Sequence, residues 1–137
     1  MANNAAPLGL VDGKLRPCPN TPNCVCSMDG APARHIEPLA FTDDPDVAMS
    51  RLKAVLADQT RTRIAAEEGD YLHAECRSLV FHFVDDLEFH MDRPGKKIHV
   101  RSAARTGTYD FGVNRRRVEA IRRGFEVDVR AGERGGI

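Results

Sequence analysis

Apolar residues recur along this chain with two different periods, and each period predicts a different secondary structure. From Phe81 to Met91 they largely alternate with polar residues, which is the repeat of a strand with one buried face. From Asp44 to Asp58 they recur at helical spacing, which predicts an amphipathic helix. Asp44 suits the N-cap of this helix and Pro45 its first turn. We assign its apolar stripe to the core: Ala48, Leu52, Val55 and Leu56.

The middle of the chain is predicted to form an antiparallel meander of strands, each bounded by turn residues. These strands cover residues 60–66, 71–76, 78–92 and 97–103. The Pro94-Gly95 pair between the last two suits the centre of a type II turn. A second helix is predicted to begin at Asn114 as N-cap and to stop near Gly124. Its inward face would carry Val118, Ile121 and Phe125.

This order of elements predicts a single α+β domain. Two helices would cover one face of an antiparallel sheet of about four strands, giving a two-layer sandwich. Residues 1–40 hold six of the eight prolines and are expected to form an extended, cysteine-containing arm. Residues 41–126 would form the α+β domain, and residues 127–137 a frayed tail.

Charge is balanced over the whole chain but not along it. The formal net charge of zero argues against a general nucleic-acid or membrane-surface binder. Residues 37–92 carry 13 acidic and 5 basic residues, a net of −8, whereas residues 93–123 carry 10 basic and 2 acidic residues, a net of +8. We favour pairing of the two segments across the sheet; a basic pocket for an anion is the alternative. With no long apolar run and no secretory signal, we expect a cytoplasmic protein.

The cysteines do not match a standard zinc motif. Cys18, Cys24 and Cys26 lie within nine residues, and Cys76 lies alone on a predicted strand. In the cytoplasm we expect free thiols, whereas Cys18 and Cys24 would be able to bond in an oxidising compartment. A metal site that adds His35 is a less favoured alternative. Cys76 is expected to be a small buried residue.

The two faces of the strand at 78–92 carry different chemistry. Asp85 points with the apolar side chains, so it needs a partner such as a backbone amide or a nearby arginine. The opposite face holds Asp86, Glu88 and His90, and it would also hold His73, Glu75, His99 and Arg101 if the registers agree. We favour a solvated surface there; a metal site and a protein-interaction face are the alternatives.

The segment RSAARTGTYDFGVNRRR, residues 101–117, has the richest candidate chemistry. Its three successive arginines at 115–117 fall at a helix start, where the macrodipole disfavours positive charge. They therefore need a negative partner, either internal carboxylates of Asp85, Asp86 and Asp110 or a phosphate or carboxylate ligand. We favour the internal partners, and the two readings are compatible. The candidate ligand-binding residues are Arg101, Ser102, Arg105, Asp110, Asn114, Arg115 and Arg117, with Asp85 and Asp86 in support.

Three stretches resemble the family of uncharacterised bacterial and plastid proteins known as domain of unknown function 1499. They are CPNTPNCVCS at 18–27, FHFVDDLEFHMD at 81–92 and IHVRSAARTGTYDFGVNRRRVEAIR at 98–122. Cys26 and Ala104 depart from the family pattern, since serine is usual at both positions. The resemblance implies no established activity, cofactor or substrate. It implies that one constellation unites Asp85, Asp86, Arg101, Ser102, Arg105, Gly107, Asp110, Gly112, Asn114 and Arg117.

Three functions are consistent with these features. We favour a small soluble binding domain for an anionic small molecule or an acidic peptide. The second is an accessory subunit that binds a protein partner and whose charged network only braces the fold. The third is a metal-dependent hydrolase that uses Asp86, Glu88 and His90. No nucleophile motif, phosphate loop or zinc-protease motif is present, so the sequence indicates neither a reaction nor a cofactor.

Overall fold

The structure, a computed structural model, describes residues 7–78, 83–106 and 112–135, and the side chains of the last helix as far as Glu126. The described elements are β1 Leu10–Val11, β2 Lys14–Leu15, β3 Cys24–Cys26, β4 Leu39–Ala40, α1 Pro45–Asp58, β5 Thr62–Glu68, β6 Tyr71–Arg77, β7 Val84–Asp92, β8 Lys97–Ala104 and α2 Val113–Gly135. The fold is α+β, as predicted.

The main sheet has six antiparallel strands rather than about four. Its order is β3-β8-β7-β6-β5, and β4 also pairs with β8. The predicted meander corresponds to β5–β8 and is confirmed. The two additional strands come from the arm and pair with successive parts of β8. Strands of two or three residues between prolines are too short to show a periodic pattern, so the sequence did not reveal them.

Both helices pack on one face of this sheet, as predicted. Helix α1 begins after Asp44, whose carboxylate accepts the Asp46 N–H at 2.9 Å. Its predicted stripe is buried against apolar residues of β6, β7 and β8. Helix α2 contributes the three residues expected from its spacing, Val118, Ile121 and Phe125, each at most 2% exposed. One apolar core therefore joins the helices to the sheet.

Helix α2 differs from its prediction at both ends. Asn114 lies inside the first turn rather than at the N-cap, and its side chain is buried. Gly124 does not stop the helix, which continues to Gly135. A Cβ atom on Gly124 would lie 3.0 Å from Val55 Cγ1. The glycine therefore permits a close approach of α2 to α1, a role that its sequence context does not distinguish from a stop.

The arm covers the opposite face of the sheet with a small hairpin of β1 and β2, which we call the N-terminal hairpin. Asp12 and Gly13 form its two-residue loop with φ values of 52° and 74°, as a type I′ turn requires. Leu15 is 3% exposed. The Gly9 N–H donates to Glu88 Oε2 at 2.7 Å, so this hairpin is anchored on β7.

Two smaller predictions have different outcomes. The left-handed residue of the 93–96 turn is Lys96, with φ of 53°, so Gly95 does not form the expected type II centre. Phe81, His82, Gly107, Tyr109, Asp110 and Phe111 lie outside the described residues. The division into arm, domain and tail stays a prediction.

Candidate functional site

The polar face of the central strands is buried, which corrects the expected solvated surface. The registers bring His73 opposite Glu88, Glu75 opposite Asp86, and Glu88 opposite Arg101. Asp86 is 3% exposed, Glu88 0% and Arg101 1%. The N-terminal hairpin lies over this face, and sequence alternation alone cannot foresee a cover supplied by a distant segment.

Glu88 is held by donors from three different elements. Arg101 Nη1 donates to Oε1 at 3.2 Å, while the Tyr71 hydroxyl and the Gly9 N–H donate to Oε2 at 2.5 and 2.7 Å. Burial and the adjacent carboxylate raise the pKa of Tyr71, so the phenol remains a proton donor. The buried charge of Glu88 is therefore compensated by one guanidinium and two further hydrogen bonds.

A second group on the same face, the Asp86 cluster, comprises His73, Glu75, Asp86 and Arg105. Arg105 donates to both Asp86 oxygens at 3.0 and 2.6 Å and to Glu75 at 2.8 Å. His73 Nε2 lies 2.8 Å from Asp86 Oδ1. Burial alone would raise the pKa of Asp86, but hydrogen bonds with His73 and Arg105 lower it below its usual value.

The Asp86 cluster also contains the group with metal-ligand chemistry. Candidate ligand atoms of His73, Glu75 and Asp86 lie within 4.8 Å of one another. Arg105 already donates to both carboxylates, so a cation would have to displace a paired guanidinium. Arg63 also donates to Glu75 at 2.8 Å, so the two carboxylates face two guanidinium groups among the described residues, which gives the metal-dependent hydrolase little support.

The opposite, helix-facing side of the sheet holds the other predicted site residues. Arg117 Nη1 donates to Asp85 Oδ2 at 2.6 Å, the arginine partner that the position of Asp85 required. Ser102 Oγ donates to Asn114 Oδ1 at 2.6 Å, and Asn114 Nδ2 donates to the Asn23 carbonyl at 3.1 Å. These bonds join β8, α2 and the arm, so Ser102 and Asn114 act as buried connectors.

The predicted constellation is therefore divided between the two faces of the sheet. Arg101 and Arg105 lie on the hairpin side, whereas Ser102, Asn114 and Arg117 lie on the helix side. Arg115 donates to the Ala33 carbonyl at 3.1 Å. Strand alternation separates neighbours such as Arg101 and Ser102, so closeness in sequence does not make one pocket.

A cleft of about 380 Å³ opens where α2 passes β5 and the end of α1. We call it the arginine cleft, because Arg61, Arg116, Arg117 and Arg123 line it together with Gln59, Thr60 and Thr62. No carboxylate lines this cleft among the described residues. Arg61 Nε donates to the Arg77 carbonyl at 3.1 Å, which restricts its side chain.

A second cleft of about 460 Å³ lies under the N-terminal hairpin and is lined by His90 and His99, which are cross-strand partners. Ser27 Oγ lies 3.0 Å from His99 Nδ1. Burial lowers the pKa of His99, so the imidazole is neutral at pH 7. The other walls are partly apolar, including Leu15 and Met28.

Cys18 and Cys24 form a disulfide, which corrects the expectation of free thiols. Cys26 and Cys76 are free and buried, as expected for Cys76. The bond joins Cys18, which follows the N-terminal hairpin, to Cys24 at the start of β3. Sequence spacing left this pairing open, because the redox environment decides it as much as geometry does.

The family model described as "Protein of unknown function (DUF1499)" matches residues 14–125. The chain belongs to this family. Comparison with curated proteins and with solved structures gives no match. Among the described residues, no helix of this DUF1499 chain is long and apolar enough to cross a membrane.

The DUF1499 match includes every arginine of the arginine cleft and every side chain that contacts Glu88 or belongs to the Asp86 cluster, but it excludes β1 and Gly9. Tyr71, Arg61 and Arg123 are among the residues of these sites that were not predicted. Tyr71 shares the strand face of His73 and Glu75, so alternation would have placed it there. Arg61 sits in a turn with φ of 56°, and no sequence signal linked it to α2.

Proposed function

We propose that this DUF1499 chain is a small binding domain that receives an anionic ligand, such as a phosphate, a carboxylate or an acidic peptide, in the arginine cleft. The observation that carries the proposal is the convergence of four arginines on one concave surface with no lining carboxylate among the described residues. Like charges gathered in this way repel one another, and an anion relieves the repulsion.

The arginines of the cleft differ in how far the protein already uses them. Arg117 is engaged by Asp85. Arg61 and Arg123 are exposed and have no carboxylate partner among the described residues. They can therefore donate to a ligand without breaking an internal ion pair, while Asp85 fixes Arg117 at the wall. Guanidinium groups suit phosphate and carboxylate because they offer paired N–H donors.

The cleft also lies beside the first turns of α2. Val113, Arg116 and Arg117 line it, so the positive end of the helix dipole adds to the side-chain charge. Thr60 and Thr62 add hydroxyl groups from the opposite wall. This supports the sequence-based proposal that the arginines near 115–117 receive an anion, while moving the ligand away from Arg101 and Arg105.

A thermal-shift screen followed by calorimetry tests the proposal. Inorganic phosphate, pyrophosphate and succinate are the probes, and the affinity of the best one is measured for the double variant Arg61→Gln/Arg123→Gln. We expect a loss of about tenfold or more, the effect of losing at least one charge-assisted hydrogen bond of about 1.5 kcal/mol.

The matched control removes the same charge elsewhere. Lys14 and Lys97 are exposed and lie outside the arginine cleft, so Lys14→Gln/Lys97→Gln should leave the affinity within about twofold. Equal losses in the two double variants would indicate a general charge effect and contradict the proposal.

The alternative function is an accessory subunit in which the charged network is only structural. The internal pairing of Arg101, Arg105 and Arg117 with Glu88, Asp86 and Asp85 favours it. It predicts that no anion in the screen raises the melting temperature and that a protein partner co-purifies with the chain. The same screen therefore distinguishes the two functions.

A further inference from the structure

Three buried nitrogen atoms have no hydrogen-bond partner in the part of the chain that the structure describes. They are Arg16 Nε, Arg101 Nε and Arg101 Nη2. Arg101 is 1% exposed, so bulk water does not reach its guanidinium group. Buried donors of this kind are rare in proteins, and a bound ion or water is one explanation for them. These atoms lie apart from the arginine cleft, on the hairpin side of the sheet.

The two unpartnered atoms of Arg101 form one edge of its guanidinium group. Arg101 Nη1, on the other side, donates to Glu88 Oε1 at 3.2 Å. Glu88 Oε2 already accepts from Tyr71 and Gly9, so Glu88 is not positioned to serve the free edge as well. The Nε–Nη2 edge presents two parallel N–H groups, the arrangement that binds an acceptor in a bidentate manner.

Cys26 is the neighbour that could otherwise fill this edge. It is the cross-strand partner of Arg101 and is 0% exposed. Its thiol lies 3.5 Å from the Arg16 carbonyl, to which it donates, and it accepts the Met28 N–H at 3.4 Å. Burial raises the pKa of the Cys26 thiol, so it is a neutral hydrogen-bond donor and not a counter-ion for Arg101.

Cys26 connects the segment of Arg16 to Arg101, because its thiol bonds the Arg16 carbonyl and it is the cross-strand partner of Arg101. Arg101 is balanced by Glu88, whereas Arg16 has no ion-pair partner among the described residues. A cleft of about 560 Å³ is lined by Arg16 and Met28, with Asp12 and Lys14 on its hairpin side. The Met28 N–H bonds the Cys26 thiol, so this cleft adjoins the residue that pairs with Arg101.

We propose that a small monovalent anion, either a halide ion or a carboxylate of formate size, binds the Nε–Nη2 edge of Arg101 beneath the N-terminal hairpin, with Arg16 at the entrance. The two N–H groups gain an acceptor, and the charge of Arg16 favours entry of an anion. The bound ion would also stabilise the hairpin against the sheet, because Arg16 directly follows β2. This site is independent of the proposed function.

Crystals grown in sodium bromide test the proposal directly by anomalous scattering at the bromine edge. The expected result is an anomalous peak within hydrogen-bond distance of both Arg101 Nε and Arg101 Nη2. Adding excess formate should displace this peak if a carboxylate shares the site. The proposal would be overturned if neither bromide nor formate were found at the Nε–Nη2 edge of Arg101, or if only water were found there.

Arg101→Met could unfold the chain. The solution measurements therefore keep Arg101 and change Arg16 instead. The readout is the rise in melting temperature when gluconate, which is too large for the site, is replaced by chloride at constant ionic strength. Arg16→Met should at least halve this rise. Lys14→Met removes the same charge two residues earlier, at an exposed position, and should keep the full rise.

The arginine-cleft variant Arg61→Gln/Arg123→Gln should also keep the full response to chloride. If chloride did not raise the melting temperature of the wild type, this site would be rejected, while the proposed anion binding in the arginine cleft would not be affected. Equal responses in Arg16→Met and wild type would reject the role of Arg16 and, with it, the proposed entrance.

Discussion

Arg105 shows, for a single residue, that the sequence identified charged residues of the candidate site but not which of them pair with one another. From the sequence, Arg105 was a candidate ligand-binding residue, and internal carboxylate partners were predicted only for the arginines at 115–117. The structure shows Arg105 donating to both Asp86 and Glu75. Which carboxylate an arginine reaches depends on strand order and register, and these were only expectations from the turns.

Removing the charge of Asp86 should destabilise the fold while leaving its shape unchanged. Asp86→Asn leaves Arg105 with a weakened partner at a position only 3% exposed. We expect a loss of about 1.5–3 kcal/mol in the free energy of unfolding, measured by urea denaturation, because position 86 loses its charge-assisted hydrogen bonds while Arg105 keeps its bond to Glu75. Asp58→Asn changes the same group at an exposed position and should alter stability by less than about 0.5 kcal/mol.

The pKa of Asp86 also predicts how this effect depends on pH. The folded-state pKa is lowered, so the carboxylate stabilises the fold above its unfolded pKa of about 3.9, and that contribution is lost as the pH falls through the folded value. The stability difference between wild type and Asp86→Asn should be constant near neutral pH and shrink in acid. A difference that grows in acid would show that Asp86 is not held as a carboxylate.

At the scale of elements, the long periodic segments were predictable and the short or packed features were not. Helix α1 and strands β5–β8 follow from spacing, caps and turns in their own sequences. Strands β3 and β4 exist because β8 offers them an edge, which is a tertiary effect. Gly124 likewise lies where α2 passes close to Val55 of α1, a tertiary contact that no local pattern encodes.

The contact of Gly124 with Val55 gives a prediction at this scale. Gly124→Ala gains helix propensity, but its methyl group would meet Val55 Cγ1 at 3.0 Å. We expect it to lower the melting temperature in wild type. In a Val55→Ala background, where the space is free, the same change should stabilise the protein by about 0.5–1 kcal/mol. Stabilisation in both backgrounds would mean that the helices tolerate the methyl group without cost.

For the whole molecule, the opposite charges of the two sequence segments pair across the sheet, as favoured from the sequence. Arg93 pairs with Asp70, Arg101 with Glu88, Arg105 with Asp86 and Arg117 with Asp85. This pairing consumes much of the basic segment but leaves Arg123 without a carboxylate partner among the described residues. Arg61, from the acidic segment, joins it in the cleft. The sequence could not foresee that combination, because it requires the position of α2 against β5.

Anion binding in the arginine cleft is tested most directly by an NMR titration with pyrophosphate that follows the Nε–Hε signals of the arginine side chains. We expect saturable shifts for Arg61, Arg116 and Arg123, and no shift for Arg105, which is held in its ion pairs. Shifts confined to arginines outside the cleft, or no saturable shift at any arginine, would contradict it.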